Sequence, residues 1–157
     1  MIIWLTGQPG SGKTTISNML LKYYKEKTNN VITIDGDNLR KMTNNYDYTI
    51  DGRFKNITNA QMISRFLHYN DFIVIVSLVT PYLELRESFK NEFQDELIEI
   101  YVHCDSPRRG NQVEEYEPPK INFIDVNTTN STIEQTVKYI IDKIDDNNLK
   151  IRGKIND

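Results

Sequence analysis

The segment Gly7-Gln8-Pro9-Gly10-Ser11-Gly12-Lys13-Thr14 constrains this chain more than any other. It follows a short apolar run, Ile2–Thr6, and precedes residues 13–27, where Ile16, Met19, Leu20 and Tyr23/Tyr24 recur at spacings of three and four. A buried strand therefore runs through a glycine-rich turn into an amphipathic helix. That is the context in which the pattern G-x-x-x-x-G-K-[ST] forms a phosphate-binding loop. Glycine lets the backbone curl so that successive N–H groups converge on an anion, and the helix adds its positive end. Lys13 would reach the β- and γ-phosphates of a bound nucleotide, and the Thr14 hydroxyl would ligate Mg²⁺. A chance glycine-rich turn would lack the strand before it and the helix after it.

The rest of the chain repeats this alternation. Residues 31–34 predict a second strand, closed by Asp35-Gly36-Asp37, and residues 53–69 keep a helical period through Ile57, Ala60, Ile63 and Leu67. Residues 72–79 are almost wholly apolar, which predicts a central strand covered on both faces. Pro81 stops it, and a helix follows from Leu83 to Phe93. Strands at 97–103 and 121–126 come next. Ser131-Thr132-Ile133-Glu134 has the form of a capping box that opens a last helix to about residue 144, with a polar tail from about 145 that frays. The pattern predicts an α/β domain over 1–157: a three-layer P-loop sandwich with a mostly parallel five-stranded sheet and helices on both faces.

Composition narrows the class further. With 19 Lys+Arg against 22 Asp+Glu, the net charge of −3 gives no support for nucleic-acid binding. A single cysteine, Cys104, excludes an intramolecular disulfide framework and a cysteine-based zinc cluster, and fits a reducing compartment. The longest apolar run falls far short of the roughly 20 residues that a membrane span requires. The expectation is a cytoplasmic protein with small-molecule nucleotide partners and no membrane association. His68 and His103 stand apart and read as structural or surface residues. No Asn-Lys-x-Asp segment is present to read guanine, so a small nucleotide or metabolite kinase suits the outline better than a GTPase.

The run Asp35-Gly36-Asp37-Asn38-Leu39-Arg40 places two carboxylates at the C-terminal edge of the second strand, where open α/β sheets bind ligands. A carboxylate there would take the proton of an attacking hydroxyl or hold Mg²⁺ through water, and Arg40 would balance an anionic substrate. Asp-Gly pairs also serve as ordinary turns. It is the preceding phosphate loop that gives the run its functional reading.

Together, Gly7 to Thr14, Asp35 to Arg40, Ser77-Leu78-Val79-Thr80-Pro81-Tyr82 with Arg86, and Tyr116-Glu117-Pro118-Pro119 resemble the adenylylsulfate (APS) kinase family. That family moves the γ-phosphate of ATP to the ribose 3′-hydroxyl of adenylylsulfate. The resemblance implies Lys13, Asp35 and Asp37 as catalytic residues and Thr14 with Asp35 as the Mg²⁺ partners. It implies that Gly7, Gly10, Ser11, Gly12, Lys13, Thr14 and Thr15 bind ATP. Arg108 or Arg109, in the loop after the fourth strand, would either cover ATP, by stacking on adenine or pairing with its phosphates, or form a solvated basic corner. The acceptor would meet Asp37, Arg40, Tyr48, Arg53, Asn56, Val79 and Thr80. Thr80 stands where the family has a serine that some members phosphorylate. Members are commonly homodimers.

One departure is plain. Between the fourth strand and Tyr116 the family carries a long lid with an Asp-x-Lys-Gly-Leu-Tyr segment and a phenylalanine that sandwiches the acceptor base. Here the lid, about 105–119, is short, with no lysine and no aromatic residue between Asp105 and Tyr116. A same-family kinase acting on cytidine diphosphoramidate is the alternative this shortening suggests. A nucleotide-binding module that has lost catalysis is a third reading, opposed by the intact Lys13, Thr14, Asp35 and Asp37.

Overall fold

The computed structural model describes residues 1–105 and 112–155, with side chains described to residue 148. Five strands, β1 (Ile2–Thr6), β2 (Val31–Asp35), β3 (Ile73–Ser77), β4 (Leu97–His103) and β5 (Phe123–Asn127), form one sheet in the order β2-β3-β1-β4-β5. All four neighbouring pairs are parallel, so the sheet is wholly rather than mostly parallel. The helices are α1 (Lys13–Lys25), α2 (Gly36–Thr43), α3 (Ile50–His68), α4 (Leu83–Phe93) and α5 (Ile133–Ile155), with a 3₁₀ turn at Gln94–Glu96.

Alternation along β1 divides the core. Ile3 and Leu5 pack with Ile16, Leu20 and Tyr24 of α1 and Val137, Ile140 and Ile144 of α5. Ile2 and Trp4 face the other layer, with Leu39 of α2, Ile57 and Ala60 of α3, and Phe89 and Phe93 of α4. All five residues of β1 are buried, as expected of a parallel strand covered on both sides. With β3 on one side of β1 and β4 on the other, the chain leaves β1 at a topological switch point, and the phosphate loop sits there.

Several boundaries differ from the sequence reading. The run after Asp35 is a helix, α2, and not a turn. Asp35 is its N-cap, accepting from the backbone N–H groups of Asp37 and Asn38 at 3.2 Å each. Helix α3 starts at Ile50, three residues before Arg53, because the Thr49 side chain caps it through Gly52 N–H. The capping box of α5 lies one residue later than expected. Thr132 Oγ1 accepts from Gln135 N–H at 3.2 Å, and Gln135 Oε1 accepts from Thr132 N–H at 3.0 Å. Helix α5 then runs on to Ile155, through the polar segment expected to fray. No helix among the described residues is long and apolar enough to cross a membrane.

Candidate active site

The loop between β1 and α1 needs glycine for a definite reason. A Cβ on Gly7 would stand 2.0 Å from the Val102 carbonyl oxygen, so the loop can lie against β4 only without a side chain there. Helix α1 is also distinctive at its start. Asp35, Thr49 and Thr132 place side-chain oxygens on the first turns of α2, α3 and α5, whereas the N-cap of α1 is Gly12, at φ 105, with no side-chain cap. The first N–H groups of α1 remain available to an anion.

Lys13 folds back over this loop. Its Nζ donates to Gly7 O at 2.9 Å and Gln8 O at 2.8 Å, with Ser11 Oγ at 3.4 Å. Burial lowers its pKa from 10.5 to about 8, and the nearby charges of Asp35 and Asp37 offset part of that. The Thr128 hydroxyl pins the loop from outside, donating to Ser11 O at 2.9 Å. Thr15 lines a smaller cavity of about 150 Å³ beside the loop, with Gly10, Ser11, Gly12 and Thr128.

A cavity of about 540 Å³ opens on the other side of the loop. It gathers Gly10, Lys13, Thr14, Asp35, Asp37, Arg40, Tyr48, Arg53, Asn56, Val79 and Thr80 from β2, α2, α3 and the turn after β3. Asp35 has both oxygens engaged: Oδ1 caps α2, and Oδ2 accepts from Thr14 Oγ1 at 3.1 Å. Asp37 is exposed in the first turn of α2, its carboxylate over the same cavity. Thr14 and Asp35 form an oxygen-only donor pair beside a phosphate cradle, which suits Mg²⁺, a hard ion usually held by one or two protein oxygens plus phosphates. No cluster of three or more His, Cys, Asp or Glu occurs among the described residues to hold a metal alone.

Four of these cavity residues also have partners in the surrounding structure. Arg40 is buried, and its Nη1 donates to Asn45 O at 3.1 Å and Asp47 O at 2.7 Å while the guanidinium lies 4.2 Å from the Tyr48 ring centre. It braces the loop before α3 as well as lining the cavity. Arg53 pairs with Glu115 of the lid at 3.2 Å. Asn56 is buried; Nδ2 donates to Gly36 O at 3.5 Å, while Oδ1 has no partner among the described residues. The Thr80 hydroxyl does not cap α4. It is buried and accepts from Trp4 Nε1 at 3.1 Å, and the residue holds a left-handed φ of 46. Arg108 and Arg109 lie outside the described residues.

Three contributors were not singled out from the sequence. Gln8 clamps the lid to the phosphate loop, donating from Nε2 to Val113 O at 2.9 Å and accepting Val113 N–H at 2.8 Å. Glu117 caps α4 through Leu83 N–H at 2.8 Å. Ser77 borders the cavity with its hydroxyl buried and without a partner among the described residues. Leaving such a group unpaired costs about 1–3 kcal/mol. All three stand inside segments quoted above, the loop, the Ser77–Tyr82 turn and the Tyr116–Pro119 run, but nothing in those segments assigns them a partner.

A family model described as adenylylsulphate kinase matches residues 1–117. The chain belongs to the adenylylsulphate kinase family. It is 29% identical to the cytidine diphosphoramidate kinase of Campylobacter jejuni, over 91% of this chain and 95% of the relative. It is 27% identical to the adenylyl-sulfate kinase of Halothermothrix orenii, over 92% of this chain and 89% of the relative. The structure of the Mycobacterium tuberculosis APS kinase with AMPPNP and APS shares its fold, with TM-score 0.77 and 19% identity over 90% of this chain and 95% of that one. This family member is accordingly a P-loop kinase: a transferase that binds a nucleotide co-substrate and has a hydroxyl group as acceptor.

The kinase's lid is tied at its base as well as at the loop. Arg86 Nη1 donates to Thr80 O and Nη2 to Glu117 O, and Glu117 N–H donates to Pro81 O at 2.9 Å. Arg86 and Lys90 in turn meet the buried carboxylate of Glu99, at 2.8 and 2.6 Å. One buried charge cluster on β4 and α4 thereby sets both the turn after β3 and the returning end of the lid.

Proposed function

We propose that this kinase transfers the γ-phosphate of ATP to the ribose 3′-hydroxyl of a nucleotide-like acceptor, with adenylylsulfate as that acceptor. The observation that carries this reading is the single cavity between the phosphate loop and α2–α3, where Lys13, Thr14 and Asp35 meet Asp37, Arg53 and Asn56. The uncapped start of α1 and Lys13 bind the β- and γ-phosphates and stabilise the charge that builds as the phosphoryl group moves. When bound with ATP, Mg²⁺ supplies charge neutralisation between the phosphates, and Thr14 Oγ1 and Asp35 are the residues that would hold it. Asp35 also keeps α2 in place through its cap, which aims the exposed Asp37. The Asp37 carboxylate accepts the proton of the attacking hydroxyl, and Arg53 and Asn56 orient the acceptor.

A second reading keeps the chemistry and exchanges the acceptor for cytidine diphosphoramidate. The short lid favours it, since no aromatic between Asp105 and Tyr116 is available to sandwich a purine, and the chain matches nearly the whole length of the C. jejuni relative. Steady-state kinetics with ATP, Mg²⁺ and each acceptor side by side separate the two by kcat/KM. ADP formation no higher than that of Lys13→Ala with both acceptors would refute the kinase reading itself.

A further inference from the structure

Ser77 ends β3 at the C-terminal edge of the sheet, in register with Asp35 on β2 and with Leu5 on β1. Alternation along β3 puts its side chain on the same layer as Ile75, the layer covered by α1. Asp35 shares that layer, being even-spaced from Val31 along β2. Neighbouring strands lie about 4.8 Å apart, so Ser77 and Asp35 stand side by side on one face of the sheet, at the edge where the cavity opens. The residue is 4% exposed, and Oγ has no hydrogen-bond partner among the described residues while lining the cavity with Lys13, Thr14 and Asp35.

A buried hydroxyl kept unpaired at the rim of a ligand cavity is satisfied when the ligand arrives. The ligand component here is the metal end of the nucleotide, because Asp35, its register neighbour, and Thr14, bonded to Asp35 at 3.1 Å, are the oxygen donors described above. P-loop proteins commonly place an aspartate at a strand end facing the loop to help hold Mg²⁺. Here a neutral hydroxyl takes such a position, and Asp35 on the adjacent strand supplies the charge.

We propose that Ser77 is a metal-site residue: its Oγ accepts a hydrogen bond from a water in the Mg²⁺ shell, orienting the ion between Thr14 and Asp35. This rests on the ATP-dependent reading above.

The test compares wild type with Ser77→Ala by calorimetric titration of ATP in EDTA and in excess Mg²⁺, and by electron paramagnetic resonance of Mn²⁺ with ADP. Loss of an outer-sphere partner typically weakens metal affinity about 10- to 100-fold. Ser77→Ala should therefore keep its EDTA affinity, lose about tenfold or more of the gain that Mg²⁺ brings, and leave more Mn²⁺ free. Its melting temperature should not fall, because an unpaired hydroxyl is removed. An unchanged Mg²⁺ gain would overturn the proposal, and so would an equal loss with and without metal, which would place Ser77 on the phosphates. If wild type binds no ATP in either condition, the kinase reading falls and takes this one with it.

Discussion

Lys13 should make the ligand-free protein more stable as the solution becomes alkaline, which is opposite to the usual behaviour of a paired lysine. Its pKa falls from 10.5 in an unfolded chain to about 8 in the fold, chiefly through burial. Below the folded value both states carry the proton, and the fold bears the full cost of a desolvated charge. Between the two values only the unfolded chain is protonated, so stability climbs with pH. At 1.36 kcal/mol per pH unit the whole interval is worth about 3 kcal/mol, of which about 2 kcal/mol falls between about pH 7 and pH 9.5. Substituting Lys13→Met removes the group and provides the reference against which other titrations cancel. Melting curves of both proteins across that range should diverge, wild type gaining roughly 4–8 °C relative to the variant. Tripolyphosphate or ATP, by pairing with the ammonium, should flatten the divergence. Parallel profiles for the two proteins without ligand would refute the argument that burial lowers this pKa.

Asp35→Asn keeps the α2 cap but removes the charge beside Thr14 that would help hold Mg²⁺, so kcat should fall about 10- to 100-fold with acceptor KM little changed, measured by coupled ADP release. Arg53→Ala should weaken acceptor binding by about 1.5–3 kcal/mol and leave ATP affinity intact, read by titration calorimetry. Glu115→Gln frees Arg53 from a part-exposed pair and should tighten the acceptor by no more than about 1 kcal/mol. Glu99→Ala strands the buried Arg86 and Lys90 and should cost about 3–5 kcal/mol of stability in urea unfolding.

The strands and the phosphate loop were legible because each is a contiguous signal: an apolar run, or a spacing that only one backbone shape satisfies. Helix α2 was hidden by its own start, since Asp35-Gly36-Asp37 has turn chemistry. Only the two N–H bonds to Asp35 and the burial of Leu39 show that the chain continues as a helix. The extension of α5 carries polar residues in place of an apolar period, so nothing in its pattern separated helix from tail. The place of Arg40 after the acidic run points to the cavity it lines, but not to the carbonyls of Asn45 and Asp47 that its Nη1 reaches, which a loop brings back in space. The Gln8–Val113 clamp joins residues far apart in sequence and left no trace in either segment.

The order β2-β3-β1-β4-β5 has a consequence for how the molecule is made. The strand at the centre of the sheet precedes the other four in the chain, yet its partners begin at Ile73 and Leu97. Until both have emerged, Ile2–Thr6 is a fully apolar ribbon, except for its last residue, with neither edge paired. Closing such distant pairs must precede any reward from them, so folding of this domain should be slow and sensitive to capture of the unpaired β1 segment. Gly7, which lets the phosphate loop lie against β4, is thus useful only once β4 has been made. Nucleotide binding cannot template the early stages, and it acts as a check on a sheet already assembled.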